Sequence, residues 1–507
     1  QKENLMSSDN GGIIGVVNNP TGSVASGVWQ QEEQYEAKVN NTWPQRQVFT
    51  TRSLRFNNDS SDFLFFTPLT TTNRRTFTIS FWFKTTTVAG GNNYMFSTGN
   101  YASGDGLLQM NLSNSGRLTV NDYDQSGDSY NLRWVTPSTY LIRDPGAWYH
   151  FVLAVDSTQG TQSNRAKVYL NGVDISSDFT QTTSPAQNDD FHINTAGQIQ
   201  QVGRSQADSD YYDGYLTEFI VVDGQQLAPT SFGVANSDGV WTPITYTGTF
   251  GTNGFNLQFE NAAALGDDSS GNDNDFTVNA LASIDQSTDY PVINHATLNP
   301  VYKSSSQPTF SEGNLRQTPN AGAYQNAFST IGVTSGKWYA EMKVNGSANS
   351  ANYYGVVAET EYDYLQTAAN VVGTTDKGFS IAMASGDKRT NGSNTSYGSA
   401  LANTDIFMIA LDIDNAKVWF GKNGTWFASG NPASGSNAAF SSINTAYPYF
   451  FGGTLYSGGY SSVDWNFGSP SYSISSSNAD GNGYGNFEYA VPSGFYALNT
   501  KNLAEFG

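Results

Sequence analysis

Residues Thr76–Lys84 read TFTISFWFK. Phe77, Ile79, Phe81 and Phe83 recur at every second position, so they share one face of an extended chain. This is the period of a strand lying on a core, not the longer period of a helix. Working outward, Tyr149–Asp156 (YHFVLAVD), Ala166–Asn171 (AKVYLN, followed by Gly172) and Leu216–Asp223 (LTEFIVVD, followed by Gly224) repeat the pattern. Each run is short, apolar or alternating, and closes on Gly, Asn or Asp, the residues that supply tight turns. Strands at such spacing predict a large antiparallel sandwich.

A second strand-rich block begins near Pro300. Its expected strands are Gly336–Val344 (GKWYAEMKV), Tyr353–Ala358 (YYGVVA), Lys377–Ala384 (KGFSIAMA), Ile406–Asp414 (IFMIALDID) and Lys417–Phe420 (KVWF). Asp414-Asn415 and Asn423-Gly424 are hairpin-turn pairs. One helix is predicted, Trp29–Val39, with Ser26 as its cap and Glu32, Glu33 and Glu36 in its first turns. Trp43-Pro44 ends it.

The fold expectation is therefore all-β: two antiparallel β-sandwich domains in tandem, with short N- and C-terminal segments. The boundaries are an N-terminal segment 1–50, a sandwich 51–235, an Asx-rich connector 236–300, a second sandwich 301–474 and a C-terminal segment 475–507. Phe495, Leu498, Leu503 and Phe506 are expected to pack back on the body or join a neighbouring copy.

Composition narrows function. The chain has 507 residues, too many for one compact domain. Lys and Arg total 24 against 44 Asp and Glu, a formal net charge of −20, so no nucleic-acid partner is expected. Aromatic residues make up 14%, which a disordered chain would lack. There is no cysteine, which excludes disulfides, thiolate catalysis and thiolate metal sites. No apolar run is long enough to span a bilayer, so no membrane insertion is expected. The opening QKENLMSSDNGG lacks a basic end followed by an apolar stretch, so no export signal is read there.

Several residue groups are candidates for chemistry. Glu359, Glu361 and Asp363 (AETEYDY) alternate as catalytic carboxylates on a strand would, but they follow a strand where a loop is expected. The expectation is an exposed acidic loop and no enzyme. Glu218 lies inside a strand among apolar neighbours and reads as structural. His150 and His192 read as hydrogen-bonded sandwich residues, and His295 has no ligand-spaced partner. No other cofactor is expected, but Asp267, Asp268, Asp273 and Asp275 form a dense oxygen-rich loop that is a candidate for calcium. The alternative is an Asx-rich turn bonding its own backbone. Asn57, Asn58, Asp59 and Asp62 are a weaker candidate. Sugar rings stack on aromatic faces, and amides and carboxylates bind their hydroxyls. Tyr130, Trp134, Tyr211 and Tyr212 are the first glycan-binding candidates, ahead of Tyr123, Tyr362, Tyr364, Tyr456 and Tyr460.

Motifs spread along the chain add a resemblance. At the N-terminus these are Gly11–Gly15 (GGIIG), Asn19-Pro20-Thr21 and Ala25–Tyr35 (ASGVWQQEEQY). Asp213–Gly233 (DGYLTEFIVVDGQQLAPTSFG), Gly239–Tyr246 (GVWTPITY), Tyr246–Phe259 (YTGTFGTNGFNLQF) and Gly266–Val278 (GDDSSGNDNDFTV) follow. Phe310–Leu315 (FSEGNL), Gly336–Tyr339 (GKWY), Ala410–Phe420 (ALDIDNAKVWF), Lys422-Asn423-Gly424 and Val463–Gly468 (VDWNFG) complete the set. In this order they resemble structural proteins of tailed bacteriophages, especially marine ones, that combine concanavalin A-like (laminin-G-like) and SPRY-like sandwiches.

The resemblance implies jelly-roll, concanavalin A-like folds and a non-enzymatic virion-surface component, tail-associated, fibre or capsid decoration. It implies assembly in a host cytoplasm, partners among other virion proteins and host surface glycans, and a homo-oligomer such as a trimer. The alternatives are a polysaccharide depolymerase or a secreted bacterial lectin-like adhesin. The family shares no active site, so no catalytic residue is carried over.

Overall fold

A computed structural model describes residues 50–87, 91–206, 210–302, 306–320, 322–346, 351–367, 370–456 and 460–507. The predicted helix Trp29–Val39 lies outside the described residues. Strand accounts for 41% and helix for 8%, which makes the fold all-β, with antiparallel sheets and no closed barrel. Thr50–Thr242 and Gly248–Gly507 belong to one compact unit.

The first sandwich packs two eight-stranded sheets face to face. Thr76–Thr85 is central in one of them, between Tyr149–Asp156 and Gly214–Asp223. Its Phe77, Ile79, Phe81 and Phe83 are fully buried, so this alternating face points inward. The facing sheet runs in the order Thr180–Thr183, Ser129–Val135, Leu118–Asp124, Gly106–Leu112, Asn93–Gly99, Ile199–Val202, Phe63–Phe66, Thr277–Asn279. Leu64, Phe96, Leu108, Met110, Leu118, Val120, Leu132 and Val202 turn inward from it.

Residues 236–300, expected as a connector, supply strands to this sandwich. Phe255–Leu257 and Gln286–Ser287 join the first sheet, and Thr277–Asn279 joins the second. Polar residues flank each of these short strands, so composition resembles a linker while the backbone pairs into the sheets.

In the second sandwich a nine-stranded sheet, with Lys337–Gly346 at its centre, faces a six-stranded sheet built on Tyr353–Ala358 and Tyr449–Tyr456. Trp338, Tyr354, Tyr449 and Trp465 fill the space between them. The C-terminal segment packs back. Tyr496–Ala497 pairs in parallel with Lys337–Gly346, and Phe487, Phe495 and Ala497 cover Tyr339, Met408 and Trp419 on the outer face of the nine-stranded sheet. Glu341, fully buried, accepts the Glu488 and Tyr489 amide N–H groups at 2.9 and 2.8 Å and fixes that covering strip. The helix Thr500–Phe506 follows, its N–H of Asn502 capped by the Asn499 side chain.

Candidate functional site

The predicted aromatic quartet divides between two environments. In the strand Ser129–Val135, Leu132 and Trp134 point to the core; Trp134 is 3% exposed, donates its indole N–H to Ser184 at 3.2 Å and packs on Phe179. Asn131 is an extra residue in the pairing with Leu118–Asp124, and this bulge switches Tyr130 to the outer face, opposite Tyr123. Tyr212 is fully buried against Phe56 and donates its hydroxyl to the Lys84 carbonyl at 3.0 Å, whereas Tyr211 is half-exposed beside Phe63. Tyr212 is thus a packing residue, and Trp134, packed on Phe179, also lines a separate cavity with Lys167, Asp174 and Gln181.

Tyr130 and Tyr211 lie toward opposite sides of the same sheet face. Between them runs a cross-strand row in direct register: Phe65, Gln201, Ser97, Gln109, Asn121 and Arg133. The Gln201, Gln109 and Asn121 side chains each carry a buried amide oxygen with no hydrogen-bond partner. A buried carbonyl without a donor costs about 1–3 kcal/mol.

Aromatic and arginine side chains flank both sides of the row. Arg133 stands 4.7 Å from the Tyr130 ring, which meets Tyr123 at 4.9 Å. Asp128 accepts the Tyr123 hydroxyl at 2.7 Å, which orients the ring and pushes its phenol up to about 12. On the other side Arg204 stands 4.9 Å from Phe63 and 5.4 Å from Tyr211. The strand of Gln201 is four inter-strand steps from that of Tyr130, about 19 Å at ordinary spacing. This is the reach of an extended ligand.

Residues 58–228 match the family model described as the concanavalin A-like lectin/glucanases superfamily. The match holds the whole amide row and both of its aromatic flanks, and it covers less than half of the chain. Among solved structures, the SPRY domain of human HERC1 is similar at 20% identity over 33% of this chain and 96% of that chain, with a TM-score of 0.27. The native heptameric SAP-like pentraxin from Limulus polyphemus is similar at 18% identity over 34% of this chain and 79% of that one, with a TM-score of 0.24. The stonustoxin structure is similar at 16% identity over 34% of this chain and 27% of that one, with a TM-score of 0.26. No curated protein sequence matches the chain.

The other predicted residues are accounted for by packing and hydrogen bonds. Glu359, Glu361 and Asp363 lie on a helix, Glu359–Thr367, not in a loop, so residues two apart diverge. Glu361 is fully buried and accepts the Gly373 N–H at 2.7 Å and the Thr375 N–H at 3.2 Å; Glu359 and Asp363 are exposed. His150 is buried between Trp82 and Trp241, and burial pushes it down to about 3. The Trp241 indole donates to His150 Nδ1, so the neutral ring carries its proton on Nε2, 2.9 Å from the Ser80 hydroxyl. His192 pairs with Asp122 at 2.9 Å, with its ring over Gly106, where φ is +145° and a side chain would collide with the imidazole. His295 is buried and its Nδ1 lies 3.2 Å from the Phe467 carbonyl.

The aspartate loop bonds its own surroundings. Asp268 accepts the Asn256, Ser270 and Asn274 N–H groups and the Ser270 hydroxyl, all within 3.1 Å. Asp267 accepts from Asn261, and Asp275 from the Asp268 N–H. Asn272 and Asn274 donate to the carbonyls of Gly251, Thr252 and Gly254, and Asp273 takes a left-handed φ of +57° in the turn. Among the described residues no group of three or more carboxylate or histidine side chains converges as a metal site, either here or at Asp59 and Asp62.

Sequence reading missed Gln109, Asn121 and Gln201. The available signal was polar residues alternating with apolar ones in GLLQMNL and LTVNDYD, which marks a solvated outer face.

Proposed function

We propose that the chain is a non-enzymatic, carbohydrate-binding adhesive protein that uses the outer face of the sheet between Tyr130 and Tyr211. The row Gln201–Ser97–Gln109–Asn121 carries this reading: polar side chains in cross-strand register, flanked on both sides by rings that can stack on sugars. Glycoside hydrolysis uses a pair of carboxylates; the row itself holds none, and Asp128 at the Tyr123 flank is bonded to that ring's hydroxyl. The motif order along the chain supports placing it on a phage particle, as a tail-associated or capsid-surface component facing bacterial surface glycans and neighbouring virion proteins.

A glycan array tests the binding. Wild type is expected to retain a defined set of bacterial polysaccharides, and Asn121→Ala and Tyr130→Ala to lose it while Trp134→Phe keeps it. No retained glycan, or retention unaffected by both outer-face changes, overturns the assignment of this face. Immunogold labelling of purified particles tests the location separately.

A further inference from the structure

A polar cavity of about 310 Å³ opens where the two sandwiches meet. Arg52 borders it from the edge of the first sandwich, Ser283 and Thr288 from the chain leading into the second, and Ser469, Tyr472 and Asn486 from the second. Bonds that cross the seam fix its floor. The Ser287 and Ser469 hydroxyls are 2.7 Å apart, Thr288 Oγ1 donates to the Gly468 carbonyl at 3.1 Å, and Arg55 donates to the Pro470 carbonyl at 3.4 Å. The cavity therefore exists only in the joined tandem.

Its chemistry is unlike the rest of the surface. In a chain of net charge −20, no carboxylate side chain lines it, and Arg52 is its one cation. Among the described residues Arg52 pairs with no carboxylate; it donates to the Thr51 carbonyl at 3.0 Å. The Asn486 amide oxygen is buried beside the cavity and meets no hydrogen-bond geometry within the chain, and the Tyr472 side chain lines the wall with its hydroxyl turned to Asn466. Ile284, Pro470 and Ile474 add an apolar wall.

We infer that this cavity binds a single acidic sugar ring, a hexuronate. The volume lies at the lower end of small-ligand sites, about 300–1,000 Å³, which suits one ring and not a chain of them. The Arg52 guanidinium pairs with the carboxylate in the fork geometry that arginine offers. Asn486 and the Ser283 and Ser473 hydroxyls bond the ring hydroxyls, and the apolar wall takes its C–H face. The site is separate from the outer sheet face and does not depend on that proposal.

Calorimetry and saturation-transfer NMR on the full chain test it, with glucuronate and galacturonate as probes and glucose and acetate as controls. One hexuronate is expected to bind saturably, at least about tenfold tighter than glucose or acetate. Arg52→Gln, which removes the cation, is expected to weaken it by about tenfold or more without moving the melting temperature, and Asn486→Asp, which adds a carboxylate, to weaken it likewise. Asn121→Ala on the outer face is expected to leave it unchanged. No saturation by either hexuronate up to about 10 mM, equal binding of glucose, or binding that survives both cavity changes overturns the inference.

Discussion

Lys84 Nζ and Asp289 Oδ2 meet at 2.8 Å where the two sandwiches join, with 1% of each side chain exposed. Lys84 also donates to the Asn294 side chain at 2.8 Å and the His295 carbonyl at 3.1 Å, and the Trp148 indole donates to Asp289 at 2.9 Å. Nearby, buried Arg55 pairs with Asp285 at 3.1 Å and Glu312 at 3.3 Å. The tandem is thus fastened by ion pairs as well as by the strand Gln286–Ser287.

Removing one partner of a buried pair leaves the other charge without compensation. Lys84→Met is expected to cost about 3–5 kcal/mol in urea unfolding, and the double change Lys84→Met with Asp289→Leu to recover much of it. A single-variant loss below about 1 kcal/mol would show that the seam does not depend on this pair.

Glu218 gives a pH prediction. It has a φ of +46°, inside a bulge where Gly214–Asp223 changes partner from Ser53–Phe56 to Phe255–Leu257. One carboxylate oxygen accepts the Thr50 N–H at 2.7 Å and the other is buried without a partner. Burial pushes its pKa from 4.5 up to about 7. The folded state therefore holds this proton more tightly than the unfolded chain does. Its stability contribution is fully present below about 4.5, falls as pH rises to about 7, and is level above that. Glu218→Gln mimics the protonated acid. It is expected to match wild type at pH 4 and exceed it at pH 8, by on the order of 3 kcal/mol. The difference between the two proteins isolates Glu218 from His150, whose depressed pKa of about 3 costs stability as pH falls below 6.5. Parallel melting-temperature profiles would contradict the assignment.

The division of the aromatic quartet predicts a division of stability. Trp134→Ala and Tyr212→Ala are expected to cost about 3–5 kcal/mol, as large core truncations do. Tyr130→Ala and Tyr211→Ala should each stay within about 1 kcal/mol in the same denaturation experiment, because solvent already reaches both rings. An equal loss at all four sites would place Tyr130 and Tyr211 in the core as well.

For the aspartate loop, Asp268→Ala is expected to cost about 2 kcal/mol, since it strands several N–H donors at once. Wild type is expected to melt at the same temperature with and without millimolar calcium. A calcium-dependent rise lost in Asp268→Ala would instead assign the loop a cation.

The strand alternation in TFTISFWFK determined the all-β class, because burial on one face of a pleated chain demands that period. The apolar C-terminus likewise announced that it needed a partner surface. What the sequence left open was which side each ring would face. One extra residue, Asn131, reverses Tyr130 relative to Trp134, and such a bulge depends on the pairing partner rather than on local composition. Tertiary structure alone set Gln201 beside Ser97, because that register joins strands far apart in the chain, whereas Ser97, Gln109 and Asn121 align through successive antiparallel strands. It also drew the Asx-rich stretch into both sheets and enclosed the cavity beside Arg52, since hydrogen-bonded pairing and buried charge pairs at the seam depend on segments that meet only when both sandwiches are folded.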